Sequence, residues 1–205
     1  MVDQQTASLP AGVCDELRLA AASIASFRNA VSVVCGFPAS GKSSAARFLA
    51  ARTSAVVLDK DQLAPALEES VMDRLTGDPF DRDSSTYQKF VAPGIYDSLI
   101  RTGFHVAQRH PVILDAPFLS TLRAAADAGQ SLGLFLRDHA GAEASVPVVT
   151  IWIDSPAEQI KRRMIIRNSA RDAPKLTDWH GYQSGVLDSG IRELARSVCD
   201  LVIDN

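Results

Sequence analysis

Apolar positions fall in short uninterrupted runs in this chain, separated by longer stretches in which they recur at helical spacing. The runs Val31-Ser32-Val33-Val34-Cys35, Ala55–Leu58, Val112–Leu114, Val148–Ile153 and Leu201–Ile203 have strand length. The first, bounded by a glycine loop, suits a parallel strand buried on both faces. Between the runs the spacing predicts helices. One covers Val13 to Phe27, with Leu17, Ala21 and Ile24 in step, after a polar, frayed start at residues 1–11. A second follows the first strand from Ser44 to Arg52. A third covers Gln62 to Leu75, with Leu63, Leu67, Val71 and Leu75 four apart and Gly77 as its C-cap. After the turn-rich loop Gly77–Ser85, another helix runs to Arg101, kinked at Pro93 and ended by Gly103. Residues Ser120 to His139 read as mostly helical. Ser155-Pro156 reads as a cap and first-turn proline for a helix to Arg167. Asn168 to Gln183 reads as a loop, and a short helix near Leu187 to Ser197 precedes the last strand. Strands alternating with helices predict an α/β protein with a mainly parallel sheet.

The junction after the first strand carries chemistry. Gly36-Phe37-Pro38-Ala39-Ser40-Gly41-Lys42-Ser43 fits the phosphate-loop pattern G-x-x-x-x-G-K-[ST] at every fixed position, between a strand and a helix as the motif requires. The glycines allow several N–H groups to face one anion, and the following helix adds its unpaired N–H groups and positive dipole end. Lys42 is expected on the β- and γ-phosphates and Ser43 on Mg²⁺. The expected nucleotide contacts are Gly36, Ala39, Ser40, Gly41, Lys42, Ser43 and Ser44. A nucleoside triphosphate with Mg²⁺ is the expected ligand.

Charge and cysteine content narrow the field. A formal net charge of −3 over 205 residues supplies no overall positive field for nucleic acid, which argues against a polynucleotide partner. Cys14, Cys35 and Cys199 are an odd, widely spaced set without a C-x-x-C, so neither a disulfide framework nor a zinc site is expected. The N-terminus lacks a secretory pattern and no apolar stretch approaches membrane-spanning length, making a reducing cytoplasm the expected compartment.

In parallel sheets ligands sit over the carboxyl ends of the strands. Here those ends carry Asp59 and Asp61, Asp115, and Asp154. Asp61 stands where a carboxylate can take a proton from a hydroxyl attacking the γ-phosphate. Capping the helix that begins at Gln62 is the alternative, and Asp59 could serve in its place. Asp115 is favoured over Asp154 as the acid on the metal side, because Ser155-Pro156 assigns Asp154 to a turn. Arg163 and Arg167 share a helix face, with Lys161, Arg162 and Arg171 nearby; they form either an arginine lid on the phosphates or an ordinary solvated face.

Taken together, the phosphate loop, Leu58-Asp59-Lys60-Asp61, Val112-Ile113-Leu114-Asp115-Ala116-Pro117 and the arginines of 162–171 resemble the P-loop kinase group. Similar patterns occur in phage-type polynucleotide kinase, chloramphenicol phosphotransferase and the zeta-toxin kinases, which stand with the AAA-family ATP-binding proteins of bacteria. The resemblance covers about residues 30–204. It implies a P-loop NTPase fold with a five-stranded parallel sheet ordered 2-3-1-4-5, Asp61 as general base, and a lid bearing Arg163, Arg167 and Arg171. Polynucleotide kinases place an arginine three residues after the base, where this chain has Ala64. The expected organisation is one domain over 1–205, with an N-terminal extension (1–29), a substrate-binding insertion (62–103) and a lid (160–183). Asp59, Asp81, Arg82 and Asp83 are expected near the acceptor, although an ordinary solvated loop is the competing account of 78–83.

The expected activity is transfer of the γ-phosphate of ATP to a hydroxyl of a small molecule. The alternatives are a polynucleotide 5′-hydroxyl kinase and a regulatory ATPase without an acceptor. Asp115-Ala116-Pro117-Phe118 and Asp59-Lys60-Asp61 match neither guanine-nucleotide switch motif, and Ala116 stands where motor-type ATPases carry a catalytic glutamate.

Overall fold

The computed structural model describes residues 9–27 and 29–205. Five parallel strands, β1 (Val31–Cys35), β2 (Val56–Asp59), β3 (Val112–Asp115), β4 (Val148–Asp154) and β5 (Leu201–Asp204), form one sheet in the order β2-β3-β1-β4-β5. β1 is central, pairing with β3 from Val31↔Val112 and with β4 from Val31↔Val148, and all five of its residues are buried. Because every strand runs the same way, all carboxyl ends share one rim. β2 to β5 each end on an aspartate, and the register sets Asp59 beside Asp115 and Asp154 beside Asp204.

Helices cover both faces. On one face α1 (Ala11–Ala25) and α2 (Lys42–Thr53) bury Leu17, Ile24, Ala45 and Leu49 against Val34, Ile113 and Ile153. On the other, α6 (Ala92–Val106), α7 (Leu119–Asp127), α8 (Leu132–Ala140), α9 (Ala157–Arg167) and α12 (Ile191–Val198) pack around Val33, Leu114 and Trp152. The segment joining β2 to β3 holds α3 (Lys60–Leu63), α4 (Pro65–Thr76) and α5 (Ser85–Phe90), and has a small core of its own around Met72, Tyr87, Val91, Ala92 and Ile95. Among the described residues no helix is long and apolar enough to cross a membrane.

Several local expectations are corrected. The helix expected over Gln62 to Leu75 is two helices, because Pro65 excludes Ala64 from helical geometry and Ala64 takes φ −151°. Only half of its apolar stripe faces inward, Leu63 and Val71 packing against the core. Leu67 and Leu75 are 60% and 53% exposed, whereas Glu68 and Met72 point inward. The next helix breaks at Val91 instead of kinking at Pro93; Pro93 sits in the first turn of α6, where its missing N–H costs nothing. Gly103 does not end that helix. It lies where α6 meets the sheet, and a side chain there would strike the methyl groups of Leu114. Ser155 caps nothing, since Pro156 holds the cap position of α9 and the Ser155 hydroxyl is used elsewhere. Residues 168–183 form short helical turns, including α10 (Ala173–Thr177) and α11 (Trp179–Tyr182), and a π-helical turn spans Gln183–Leu187. The N-terminal helix starts at Ala11 and stops before Phe27. The frayed start expected at residues 1–11 lies outside the described residues as far as residue 8. Gly77 caps α4 as expected, with its N–H on the Asp73 carbonyl and φ 77°.

Replacing Gly103 with alanine is expected to cost about 1–3 kcal/mol by overpacking α6 against β3, read as a lower urea midpoint at unchanged m-value.

Candidate active site

β1 delivers the chain into the phosphate loop at the centre of the rim, where three features fix its path. Gly36 and Gly41 hold φ of 146° and 105°. Both stand where any side chain would collide, Gly36 with the Ile153 carbonyl and Gly41 with the Asn205 amide. Phe37 is fully buried, edge-on to Trp152 at 5.1 Å between ring centres, with the Arg192 guanidinium 4.9 Å above it. The Ser40 carbonyl is held from outside the loop by Arg163 Nη1 (3.0 Å), Asn205 Nδ2 (2.7 Å) and the Ser155 hydroxyl (3.0 Å). With its carbonyl turned outward in this way, the loop is free to aim N–H groups inward. α2 begins at Lys42 with no side chain capping it, so its first N–H groups remain available to an anion.

Lys42 lies back along the loop, its Nζ donating to the Phe37 carbonyl at 2.8 Å. Burial pulls its pKa down, and the nearby carboxylates of Asp115 and Asp61 work against that. Asp115 is 3% exposed. Burial pushes its carboxyl up to about 6, Lys42 and the Ser43 hydroxyl oppose the rise, and Asp59 and Asp61 add to it.

The two aspartates after β2 have different surroundings. Asp59 accepts from the Asp61 N–H (2.9 Å) and from Gln62 Nε2 (3.1 Å), and so serves as the cap of α3. Asp61 is half-exposed and pairs with Arg171 at 2.9 Å and Lys60 at 3.6 Å. Partial burial raises its pKa, but Arg171, Lys60, Lys42 and Arg167 together outweigh burial and hold it below the usual carboxylate value. Asp61 also lines a cavity of about 250 Å³ with Pro65, Glu68, Phe80, Arg82 and Arg171.

The arginines of α9 and its continuation divide in position. Arg163 lies against the outside of the loop, reaching the Ala39 and Ser40 carbonyls and the Ser155 hydroxyl. Arg167 makes a two-pronged pair with the buried Asp172 (2.6 and 2.8 Å) and is near enough to Lys42 to depress its pKa. Arg171 faces Asp61. Of the residues expected near an acceptor, Arg82 reaches the cavity wall. Asp81 accepts from the N–H groups of Asp83 and Ser84 within its own turn, and Asp83 pairs with the buried Lys175. Asp154 is bound by Arg192 at 2.9 Å.

Sequence reasoning missed several contributors. Ser155 and Asn205 lie 115 and 165 positions from the carbonyl they hold, a separation no local pattern reveals. Lys60 and Glu68, 6% and 1% exposed, form a buried pair at 3.0 Å, with the Tyr87 hydroxyl bonded to both.

The AAA_33 family of AAA domains matches residues 31–180, from β1 to α11. The chain belongs to that family. Its architecture is the P-loop NTPase fold, with the strand order implied by the sequence resemblance. The chain is also similar to an unliganded sugar kinase from Janibacter (17% identity, TM-score 0.46, covering 86% of this chain and 85% of that one). A second similar structure is the protein TT1252 from Thermus thermophilus (20% identity, TM-score 0.42, covering 87% and 90%). No curated protein matches the sequence.

The Asp115 shift makes a test of the metal-free chain. A carboxyl raised from an ordinary 3.8 to about 6 destabilises the fold once pH passes the unfolded pKa, by about 3 kcal/mol above pH 6. Asp115→Asn is therefore expected to raise the melting temperature in EDTA at pH 8, with the advantage shrinking as pH falls toward 4.

Proposed function

We propose that this protein is an ATP-dependent phosphotransferase that moves the γ-phosphate of ATP to a hydroxyl of a small molecule. The observation that carries the reading is the position of Asp61. An ionised carboxylate lines a cavity of about 250 Å³ and lies within the electrostatic reach of the phosphate-loop lysine. A nucleotide switch needs no such cavity, and a cavity of this size suits a small molecule better than a polynucleotide end. Its walls carry Glu68, Glu69 and Arg82, with Phe80 and Pro65 adding apolar surface, so a polar acceptor with an apolar edge fits them.

In this reading the phosphate loop and the N-terminus of α2 bind the triphosphate, and Lys42 leaves the Phe37 carbonyl for a phosphate oxygen. The donors present fit magnesium: a hydroxyl (Ser43) and a buried carboxylate (Asp115), with the rest of the shell left to water and phosphate oxygens. The ion would supply neutralisation of charge on the phosphates. Asp61 orients the acceptor hydroxyl and takes its proton, staying ionised at neutral pH because four cations face it. Arg167 and Arg171, now paired with Asp172 and Asp61, have stronger partners available once phosphates arrive, and Arg163 secures the loop from behind. The parts of the chain then divide as a nucleotide-binding sheet, an acceptor-binding segment (62–103) and a lid (160–183).

ADP release from ATP and magnesium, measured against pooled hydroxyl compounds, tests the proposal. One small-molecule pool is expected to stimulate turnover, and Asp61→Asn to lower kcat about 10²- to 10⁴-fold at unchanged ATP affinity. Full activity in that variant would remove the base assignment, and turnover that no pool changes would favour an ATPase without acceptor. Lys42→Met is expected to abolish both ATP binding and turnover.

A further inference from the structure

Cys35 and Cys199 stand 164 positions apart in the chain, yet their sulfurs lie 3.9 Å from each other. Cys35 is the last residue of β1, fully buried, and is followed directly by Gly36. Cys199 follows α12 at its junction with β5 and is partly exposed. The two side chains share the core on the Trp152 face of the sheet. The third thiol, Cys14, is in α1, which packs on the opposite face. All three are free, and the proposed transfer reaction uses none of them.

We infer that Cys35 and Cys199 form a modification site, converted by a peroxide-class oxidant to an intrachain disulfide that grips the base of the phosphate loop. The chemistry follows their exposure. The Cys199 thiolate attacks a peroxide oxygen, the O–O bond breaks, and a sulfenic acid and one water result. Cys35 then attacks the Cys199 sulfur and loses its proton, and the sulfenyl oxygen leaves as a second water. Two thiols give up two electrons, and the peroxide takes them. The order of the steps follows from access: the partly exposed Cys199 meets the oxidant first, and the buried Cys35, whose thiol burial pushes up, reacts only with the sulfur already beside it.

The bond has a mechanical consequence. A disulfide sets its sulfurs about 2.05 Å apart, so the present 3.9 Å must close by nearly 2 Å. Cys35 must share in that displacement with Cys199, and it adjoins Gly36, where the loop has no slack: the Ile153 carbonyl and the Ser40 hydroxyl already fill the space around the Gly36 Cα. The loop therefore shifts, and nucleotide binding weakens. This coupling rests on the nucleotide-binding reading of the loop, whereas the crosslink does not.

The test uses the full chain. ATP affinity is measured first on reduced protein, which checks the nucleotide reading separately. The protein is then treated with hydrogen peroxide, alkylated and mapped by mass spectrometry. The expected result is a linked Cys35–Cys199 peptide pair with Cys14 unlinked, and ATP affinity at least tenfold weaker, both reversed by dithiothreitol. Cys199→Ser is expected to keep its ATP affinity after peroxide. Failure to link Cys35 to Cys199, or linkage through Cys14, overturns the site. A linked protein that binds ATP as tightly as the reduced one overturns the coupling.

Discussion

The Ser40 carbonyl is the fixed point of the site. A phosphate loop works by turning backbone N–H groups toward one place, and a backbone so bent must send carbonyls the other way, where they need partners. Here Arg163, Asn205 and Ser155 converge on one of those carbonyls. The three come from α9, from the end of β5 and from the end of β4. The loop thus depends on how the sheet and α9 close around it, and Gly41 is needed because the Asn205 amide occupies the space a side chain would take.

The rim around this point is acidic, although the site is read as one for a polyanion. Four strands end on aspartate. A bare row of carboxylates would repel phosphates, so the arrangement works through pairing. Arg192 neutralises Asp154, Arg171 faces Asp61, and Lys42 lies between the loop and Asp115. Asp115, the least solvated, has its carboxyl pushed up by burial, and an incoming cation would relieve the charge that burial makes costly there. The same economy governs the segment between β2 and β3, where Lys60, Glu68 and Tyr87 satisfy one another beside the cavity.

Legibility in the sequence followed the range of the interactions. The phosphate loop was readable because its function depends on residues adjacent in the chain. The strand order came through the family resemblance, because runs of buried residues mark strands without saying which are neighbours. Asp59 and Asp61 could not be separated from sequence, since both are acids at the start of a helix; the direction of a side chain decides between a cap and a group facing a cavity. α4 misled because Leu67 and Leu75 have helical spacing, yet the small core beneath chose Met72 and admitted Glu68, whose charge Lys60 meets. Arg163 shows the same limit. Its spacing from Arg167 marks a shared face, but it cannot reveal that one arginine braces a carbonyl while the other faces an acid.

The contact between Asn205 and the Ser40 carbonyl also bears on how the protein is made. It joins residues 165 positions apart, and chain contacts of such separation form late. During synthesis, β1, the glycine loop and α2 emerge long before β5. Until β5 docks beside β4, Gly41 has no amide against it and the Ser40 carbonyl lacks one of its three donors. A nascent chain can therefore display the whole phosphate-loop motif without yet holding it in its finished shape, which is completed only by a residue translated 165 positions later.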